Sequence, residues 1–585
     1  MNNSRIASIF SQIADLLEIQ DENPFRIRSY RRAAQAIESC AEDLASWALH
    51  RGDQPLHLPG IGSGMSQKIR EIATEGRCRE HQDLLGRLPS GLLDFLRVPG
   101  LGPRKTGLIY RELGISTLAQ LERAAREGKL QALPGMGAKS ESKILRGIED
   151  LKKVAGRVLW IEAEQEIQEI RTRMTACPEI QTLEVAGSFR RRRDTVGDID
   201  ILAIGSIAEP VMETFCSLPA VKEVLARGTT RSSIRLESGL QVDLRLVPPE
   251  SFPAALQYFT GSQAHNVALR ERAKRSGYKI NEYGLFREPE DAPCPIAGEE
   301  DLYRICGMDW IPPELRENRG ELEASAAGRL PKLVEWQDIR GDLHNHTRDS
   351  DGACTMEELA LWADCRGYEY LAITDHSKSL TVAHGLDERR LLRQMEEIDR
   401  WNARADKPFR VRLLKGCEVD IKADGSLDLD PEVLSRLDLV IASVHSHMSM
   451  PRDEMTERIV RAMSYGCVHL LAHPTGRILL QREPFDLDME KIFGAALRWG
   501  VALELNAFPA RLDLDDIHCR MAKEKGVKVA INSDTHAAEH FHFLRYGVFQ
   551  ARRGWLEKGD VLNTQSLDEL RATLRQGKRI PAGLA

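Results

Sequence analysis

The hydrophobic pattern changes character along the chain. Residues 4–19 place Ile6, Ile9, Phe10, Ile13, Leu16 and Leu17 at helical spacing, which predicts an amphipathic helix. Three segments then repeat one apolar-Pro-Gly-apolar-Gly pattern: Leu58 to Gly62, Val98 to Gly102 and Leu133 to Gly137. Each stands ahead of a helix that opens with small or basic residues. Residues 151–186 read as a charged helix leading to a strand at 183–186. Further on, the period drops to two. In Asp198-Ile199-Asp200-Ile201 the aspartates share one face and the isoleucines the other, and in Gln241–Val247 Asp243 and Arg245 face away from the apolar side. From Ile339 onward seven apolar runs recur, each ending in polar residues, with helical stretches such as 355–366 and 387–401 between them. Strand–helix alternation with chemistry at the strand ends predicts a (β/α)7-type barrel.

Each pattern carries chemistry. Two carboxylates one pleat apart, Asp198 and Asp200, can hold divalent cations on a strand, and Asp243 supplies a third carboxylate from another. An Asp-x-Asp pair alone is more often a solvated face. The Gly187-Ser188 turn just upstream and the third aspartate favour a metal site. The repeated Gly-x-Gly hairpins free backbone N–H groups at helix starts, and these cradle phosphates without reading base sequence. Gly60, Gly62, Gly100, Gly102, Gly135 and Gly137 are therefore expected to bind DNA. The stretch Asn23–Ala34 carries four arginines near Phe25 and Tyr30, which suits either a phosphate track or a solvated helix face. At the ends of the later runs stand His344 and His346, His376, Glu418, His445, His473 and Asp534 with His536. Imidazoles and carboxylates meeting at one barrel mouth imply a multinuclear site for Zn, Mn or Fe.

Composition narrows the setting. With 585 residues, several domains are expected, and 42% hydrophobic with 29% charged residues is ordinary for a globular chain. The eleven cysteines never fall in Cys-x-x-Cys spacing, which suits free thiols in a reducing, cytoplasmic compartment. No apolar run suggests a membrane span or a secretory signal. Net charge is −7; residues 1–320 carry 44 Lys and Arg against 45 Asp and Glu, and the remainder 37 against 43. DNA contacts must therefore come from local clusters and backbone amides, not a global field.

Gly187-Ser188-Phe189-Arg190-Arg191 leading to Gly197-Asp198-Ile199-Asp200, then Val242-Asp243-Leu244-Arg245 and Tyr258-Phe259-Thr260-Gly261-Ser262, closely resembles the family X DNA polymerases. The resemblance implies that Asp198 and Asp200 bind two Mg2+ or Mn2+ ions. It gives Asp243 one ion and a part in taking up the primer proton. Gly187, Ser188 and Arg191 would contact the triphosphate, and Tyr258 and Phe259 would line the sugar site beside Gly261. Asn266 and Arg270 would reach the nucleotide and template, and Lys68 would form a Schiff base in a lyase reaction. Two positions depart from the pattern: Gln263 replaces an aspartate of the animal repair member, and Gln241 replaces an arginine beside the third carboxylate.

Asp342-Leu343-His344-Asn345-His346 with Ile373-Thr374-Asp375-His376 resembles PHP (polymerase and histidinol phosphatase) domains. Carried over, His344, His346, Glu418 and Asp534 bind one metal, and Glu418 bridges to a second held by His445 and His473. Asp351, His376 and His536 bind a third. The expected layout is a lyase-like helix-hairpin-helix domain (1–85), fingers-like helix-hairpin-helix (86–150), palm (151–250), thumb (251–318), a polar linker (319–338) and the PHP barrel (339–585). The expected substrates are gapped or primer–template DNA and deoxynucleoside triphosphates, acted on by a monomer. The expected activities are gap filling and metal-dependent 3′→5′ end processing, with abasic-site cleavage as an addition. The rival reading is a nuclease or phosphatase that uses the palm as a DNA-holding scaffold.

Overall fold

The computed structural model describes residues 3–38, 44, 47–48, 61–89, 91–154 and 156–576. Backbone contacts divide the chain into two compact units, residues 1–155 and 156–585. The first unit is helical. Helices Asn3–Ile19 and Pro24–Glu38 bury Phe10, Ile13, Leu17 and Tyr30 against each other, as the helical spacing predicts. Helices Ser63–Glu75, Pro103–Leu113 and Ala138–Val154 begin directly after Gly62, Gly102 and Gly137. Gly100 and Gly135 adopt the left-handed backbone, at φ +93° and +74°, that glycine alone enters freely. Leu58, Pro59 and Gly60 lie outside the described residues.

The second unit holds two sheets that matter. One has five strands in the spatial order Ile180–Val185, Asp198–Gly205, Gln241–Leu246, Arg231–Leu236 and Val221–Arg227. Asp198–Gly205 and Gln241–Leu246 run parallel, so Asp200 lies opposite Asp243 in register. Ile199, Ile201, Val242 and Leu244 point away into a core with Trp160, Phe215 and Met212. The other sheet has seven parallel strands in sequence order, from Gly341–Asp342 to Val529–Asn532. A bridge between Asn345 and Thr535 links its first and last strands, so the sheet nearly closes. Alternate residues of each strand go to different cores. Tyr370 and Ala372 fill the inside with Leu414, Ile441 and Leu470, while Leu371 and Ile373 meet the surrounding helices. The seven-stranded barrel expected from the sequence is thus present.

The polar segment 314–337, which its composition reads as a helical or loose linker to a second unit, includes a short helix and is packed into the protein. Arg316 and Glu321 are fully buried, and helix Glu321–Ala326 packs with Leu315 and Leu322 into an apolar core. Its polar residues have partners inside the protein. Arg316 pairs with Glu299 at 2.8 Å, Glu321 with His265 at 2.7 Å, and Arg319 with Asp516 at 2.9 Å. Composition reads such a stretch as solvated because periodicity cannot show partners distant in sequence.

Glu299 receives both Arg316 and Arg190. Burial alone would raise its pKa, but the two guanidinium groups outweigh it and bring the carboxyl down to about 2. A depressed carboxyl stabilises the fold above its unfolded pKa, and that contribution is lost as pH falls through the folded one. The shift corresponds to roughly 3 kcal/mol. Urea melts of wild type and Glu299→Gln should therefore differ most at neutral pH and converge between pH 4.5 and about 2. A gap that stays constant over that window contradicts this assignment.

Candidate active sites

The first site sits on the parallel strand pair. Asp200 and Asp243 share a face in register, and Asp198 lies one pleat from Asp200. Burial, then the negative charges of Asp198 and Asp243, push the Asp200 carboxyl up to about 6. Three carboxylates this close together, with one of them raised by the charge of the other two, fit divalent cations. Gly187 turns at φ +64° against this face, and a Cβ there would meet Asp200 Oδ2 at 2.9 Å. Glycine is thus required for the turn to approach the carboxylate. Beside it, Ser188 Oγ is buried and makes no hydrogen bond among the described residues, which fits an oxygen-rich anion at that point.

Asp243 has partners of its own. Arg231, on the neighbouring strand, donates to its Oδ2 at 2.9 Å, and Gln241 Nε2 donates to Oδ1 at 3.3 Å. Arg231 thus brings a guanidinium to the carboxylate beside which Gln241 offers only an amide. The sequence pattern did not mark Arg231, because its proximity depends on strand register.

The other residues expected at the nucleotide contact one another. The Tyr258 and Phe259 rings meet edge-on at 5.1 Å, and the Arg245 guanidinium lies 4.4 Å from the Phe259 centroid. Asn266 is buried and donates to the Tyr258 carbonyl, and Arg270 Nε donates to the Asn266 carbonyl. Gly261, at φ +70°, faces Arg191 Nη1. The Arg191 guanidinium donates to the Thr260 carbonyl at 2.5 Å and to Glu317 at 3.1 Å, so protein groups already hold it.

The second site is at the barrel mouth and brings together all nine residues expected there. Glu418 stands in the middle. Its Oε2 lies 3.4 and 3.6 Å from the Nε2 atoms of His344 and His346, and its Oε1 lies 3.5 and 3.1 Å from those of His445 and His473. Asp534 reaches His346 at 3.2 Å. Asp351 lies 3.5 Å from both His376 and His536. Three overlapping groups keep their ligand atoms within 4.8 Å: His346 with Asp351, His376 and His536; His344 with His346 and Asp534; and His376 with Glu418 and His445.

The donor set fits metal ions. His344 Nε2, His346 Nε2 and Glu418 Oε2 are buried and make no hydrogen bond among the described residues. Burial, reinforced by the charges of His536 and His376, presses His346 down to about 3, which keeps it a neutral imidazole. Burial would raise the Glu418 carboxyl, but His376, His344 and His445 hold it well below its ordinary range.

Carboxylates behind the ligands orient them. Glu504 Oε1 meets His344 Nδ1 at 2.7 Å, and Asp420 meets His445 Nδ1 at 2.7 Å. Asn506 donates to Asp534 at 3.0 Å. Neither Glu504 nor Asp420 was assigned a role from the sequence, although Glu504 closes one of the apolar runs. Such partners fix the ring and raise its basicity, and losing one costs about 10–100-fold in metal affinity. Glu504→Gln should weaken metal retention by that factor in dialysis against a graded chelator. Retention equal to wild type would remove this role.

Lys68 is placed differently from its expected setting. Its amine meets Glu80 at 3.0 Å, and Glu80 also accepts from Tyr30 and Arg26. A cleft of about 360 Å³ opens there, lined by Lys68, Arg26, Arg79 and Arg87 among others. A carboxylate, rather than cations alone, therefore faces the amine, and Schiff-base chemistry at Lys68 would first have to break that pair. Gly62, Gly102, Gly135 and Gly137 have open space where a Cβ would stand, as a surface for backbone contacts needs.

Sequence profiles match the chain piecewise: a helix-hairpin-helix domain over residues 1–78, a SAM-like helix-hairpin-helix tandem over 92–150, the DNA polymerase beta thumb over 255–317 and the PHP domain over 342–506. Across nearly its whole length the chain is 38% identical to the DNA polymerase/3′-5′ exonuclease PolX of Bacillus subtilis, over 98% of this chain and all of that one. The chain belongs to the PolX family. Its barrel is also similar to free-standing proteins. A protein of Thermoanaerobacter sp. strain X514 named "Probable phosphatase" is 30% identical over 41% of this chain and 95% of its own. One of the same name from Acetivibrio thermocellus is 34% identical over 33% of this chain and 78% of its own. A solved Leishmania infantum polymerase beta ternary P/T complex aligns at 22% identity and TM-score 0.27 over 39% of this chain, too low to add weight. In this PolX chain the barrel is therefore fused to a polymerase-type core, and among the described residues no helix is long and apolar enough to cross a membrane.

Proposed function

We propose that this PolX chain fills short gaps in DNA with the Asp198–Asp200–Asp243 site and trims 3′ ends with the barrel. The register of Asp200 opposite Asp243 on parallel strands carries the first half. The nine residues that converge at the barrel mouth support the second. Asp198, Asp200 and Asp243 would hold Mg2+ or Mn2+. His344, His346, Glu418 and Asp534, then Glu418 with His445 and His473, then Asp351, His376 and His536 would hold up to three ions of Mn2+, Zn2+ or Fe2+. When bound, such ions lower the pKa of an attacking oxygen and neutralise charge on the phosphate.

The side chains do the rest. The Ser188 hydroxyl and the amides of the Gly187 turn donate to the triphosphate, and Arg191 adds its charge beside them. Asp243, steadied by Arg231, accepts the proton of the primer hydroxyl. Tyr258 and Phe259 close over the sugar, with Phe259 backed by Arg245. The helix starts after Gly62, Gly102 and Gly137 hold the DNA backbone through free amides. In the barrel, Glu504 and Asp420 hold His344 and His445 in the tautomer that leaves Nε2 facing inward.

The test is to run labelled gapped DNA with each deoxynucleotide, and labelled single-stranded DNA without, on wild type and on variants of either site. Loss of each activity with its own site supports the proposal. The scaffold reading wins if no gap filling is seen with wild type while digestion is robust.

A further inference from the structure

We infer that Arg553, on the barrel's outer helix Leu544–Arg553, is a positioning residue for nucleotide addition at the aspartate site. The inference rests on the reading that the Asp198–Asp200–Asp243 site adds nucleotides, with the Gly187–Arg191 turn beside it holding the triphosphate. Arg553 is almost completely buried, with 2% of its side chain exposed. Its Nη1 donates to the Arg191 carbonyl at 2.8 Å and to Glu317 Oε1 at 3.1 Å. Its Nη2 donates to Asp516 Oδ2, in the barrel, at 2.7 Å. The same Glu317 oxygen accepts from Arg191 Nε at 3.1 Å. One barrel guanidinium therefore fixes Arg191 twice, through its backbone and through the carboxylate that holds its side chain. Arg191 passes the constraint on, because its Nη1 donates to the carbonyl of Thr260, next to Gly261.

The neighbours of Arg191 are also held by the barrel. The Arg192 guanidinium lies 4.8 Å from the ring centroid of Trp160 and 4.2 Å from that of Phe549, a barrel residue. Asp194 pairs with Arg477 at 3.4 Å. Leu512 and Tyr546 of the barrel belong to the same apolar core as Ile199 and Val242. The run Arg191–Asp194 is thus seated on the barrel, and the turn that precedes it inherits that seat. A guanidinium can serve the carbonyl and both carboxylates at once because its donors form a rigid fork; an ammonium is a point donor and cannot span them.

The experiment uses full-length protein with Arg553→Lys, Arg553→Met and the Asp198→Ala/Asp200→Ala pair. Steady-state single-nucleotide gap filling gives KM for the deoxynucleotide and kcat. Fluorescence anisotropy gives the Kd for gapped DNA, and digestion of single-stranded DNA reports the barrel. Both Arg553 variants should raise the nucleotide KM about tenfold, with DNA Kd and digestion within about twofold of wild type. Arg553→Lys keeps a charge between Glu317 and Asp516, so it carries the test if Arg553→Met does not fold. An unchanged KM in both variants overturns the inference. So does a loss shared equally by gap filling, DNA binding and digestion, which marks Arg553 as structural cement. If the aspartate pair still fills gaps, the underlying reading fails and the inference with it. If that pair is inactive while the Arg553 variants are normal, the inference alone fails.

Discussion

Alanine at both Asp198 and Asp200 lowers gap filling by at least about three orders of magnitude and leaves DNA digestion within about twofold. The size follows from what is removed. Asp198 and Asp200 supply two of the three carboxylates on the parallel strand pair, and Asp243 alone, tied to Arg231, cannot hold two cations. Digestion is spared because the barrel ligands sit on a separate sheet. The fold is spared as well. Burial and the two neighbouring carboxylates raise Asp200 to about 6, so its charge at neutral pH opposes folding, by an amount on the order of 3 kcal/mol without ions. The variant should melt at the same temperature as wild type or higher when ions are absent, and lose the stabilisation that Mg2+ gives. A lower melting temperature together with reduced digestion would mean that the aspartates support the fold.

Glu418→Ala produces the mirror image: digestion falls by at least about a thousandfold and gap filling stays within about twofold. Glu418 is buried at the centre of the barrel mouth and faces His344 and His346 with one oxygen and His445 and His473 with the other. Removing it would take a ligand from two of the proposed ion positions at once and leave imidazoles facing one another. Its carboxyl lies well below the ordinary range in the fold, so it contributes stability at neutral pH that the variant lacks. The apo variant should therefore melt lower than apo wild type. Elemental analysis should show at least one ion fewer per chain. Full metal content with full digestion would remove Glu418 from the centre.

What could be read from the sequence was whatever is local. Asp198 and Asp200 are two residues apart on one strand, and eight of the nine barrel residues lie at or just beyond the end of an apolar run, Asp351 coming from the resemblance instead. Seven such runs sufficed for the barrel, because each strand carries its own signal of length and burial. What escaped depends on contacts between distant positions. Arg231 meets Asp243 only through the register of two strands, and Glu504 meets His344 across 160 residues of chain. The arginine run after Ser188 does not show its partners in the sequence: Arg190 is tied to Glu299, Arg191 to Glu317, and Arg192 lies against aromatic rings. The packing of segment 314–337 was hidden for the same reason: Arg316, Arg319 and Glu321 are paired with residues outside it. Lys68 shows the converse limit, since a motif can name a residue without showing the carboxylate against it.

The most direct test of two independent chemistries on one chain is idling turnover. A primer–template end is incubated with the single labelled deoxynucleoside triphosphate that it calls for, and labelled monophosphate is measured over time. Wild type should release monophosphate continuously, because each added nucleotide is removed and replaced. Asp198→Ala/Asp200→Ala and Glu418→Ala should each release almost none, and an equal mixture of the two should recover it. Continued release by the aspartate variant, or none by wild type, would contradict the account.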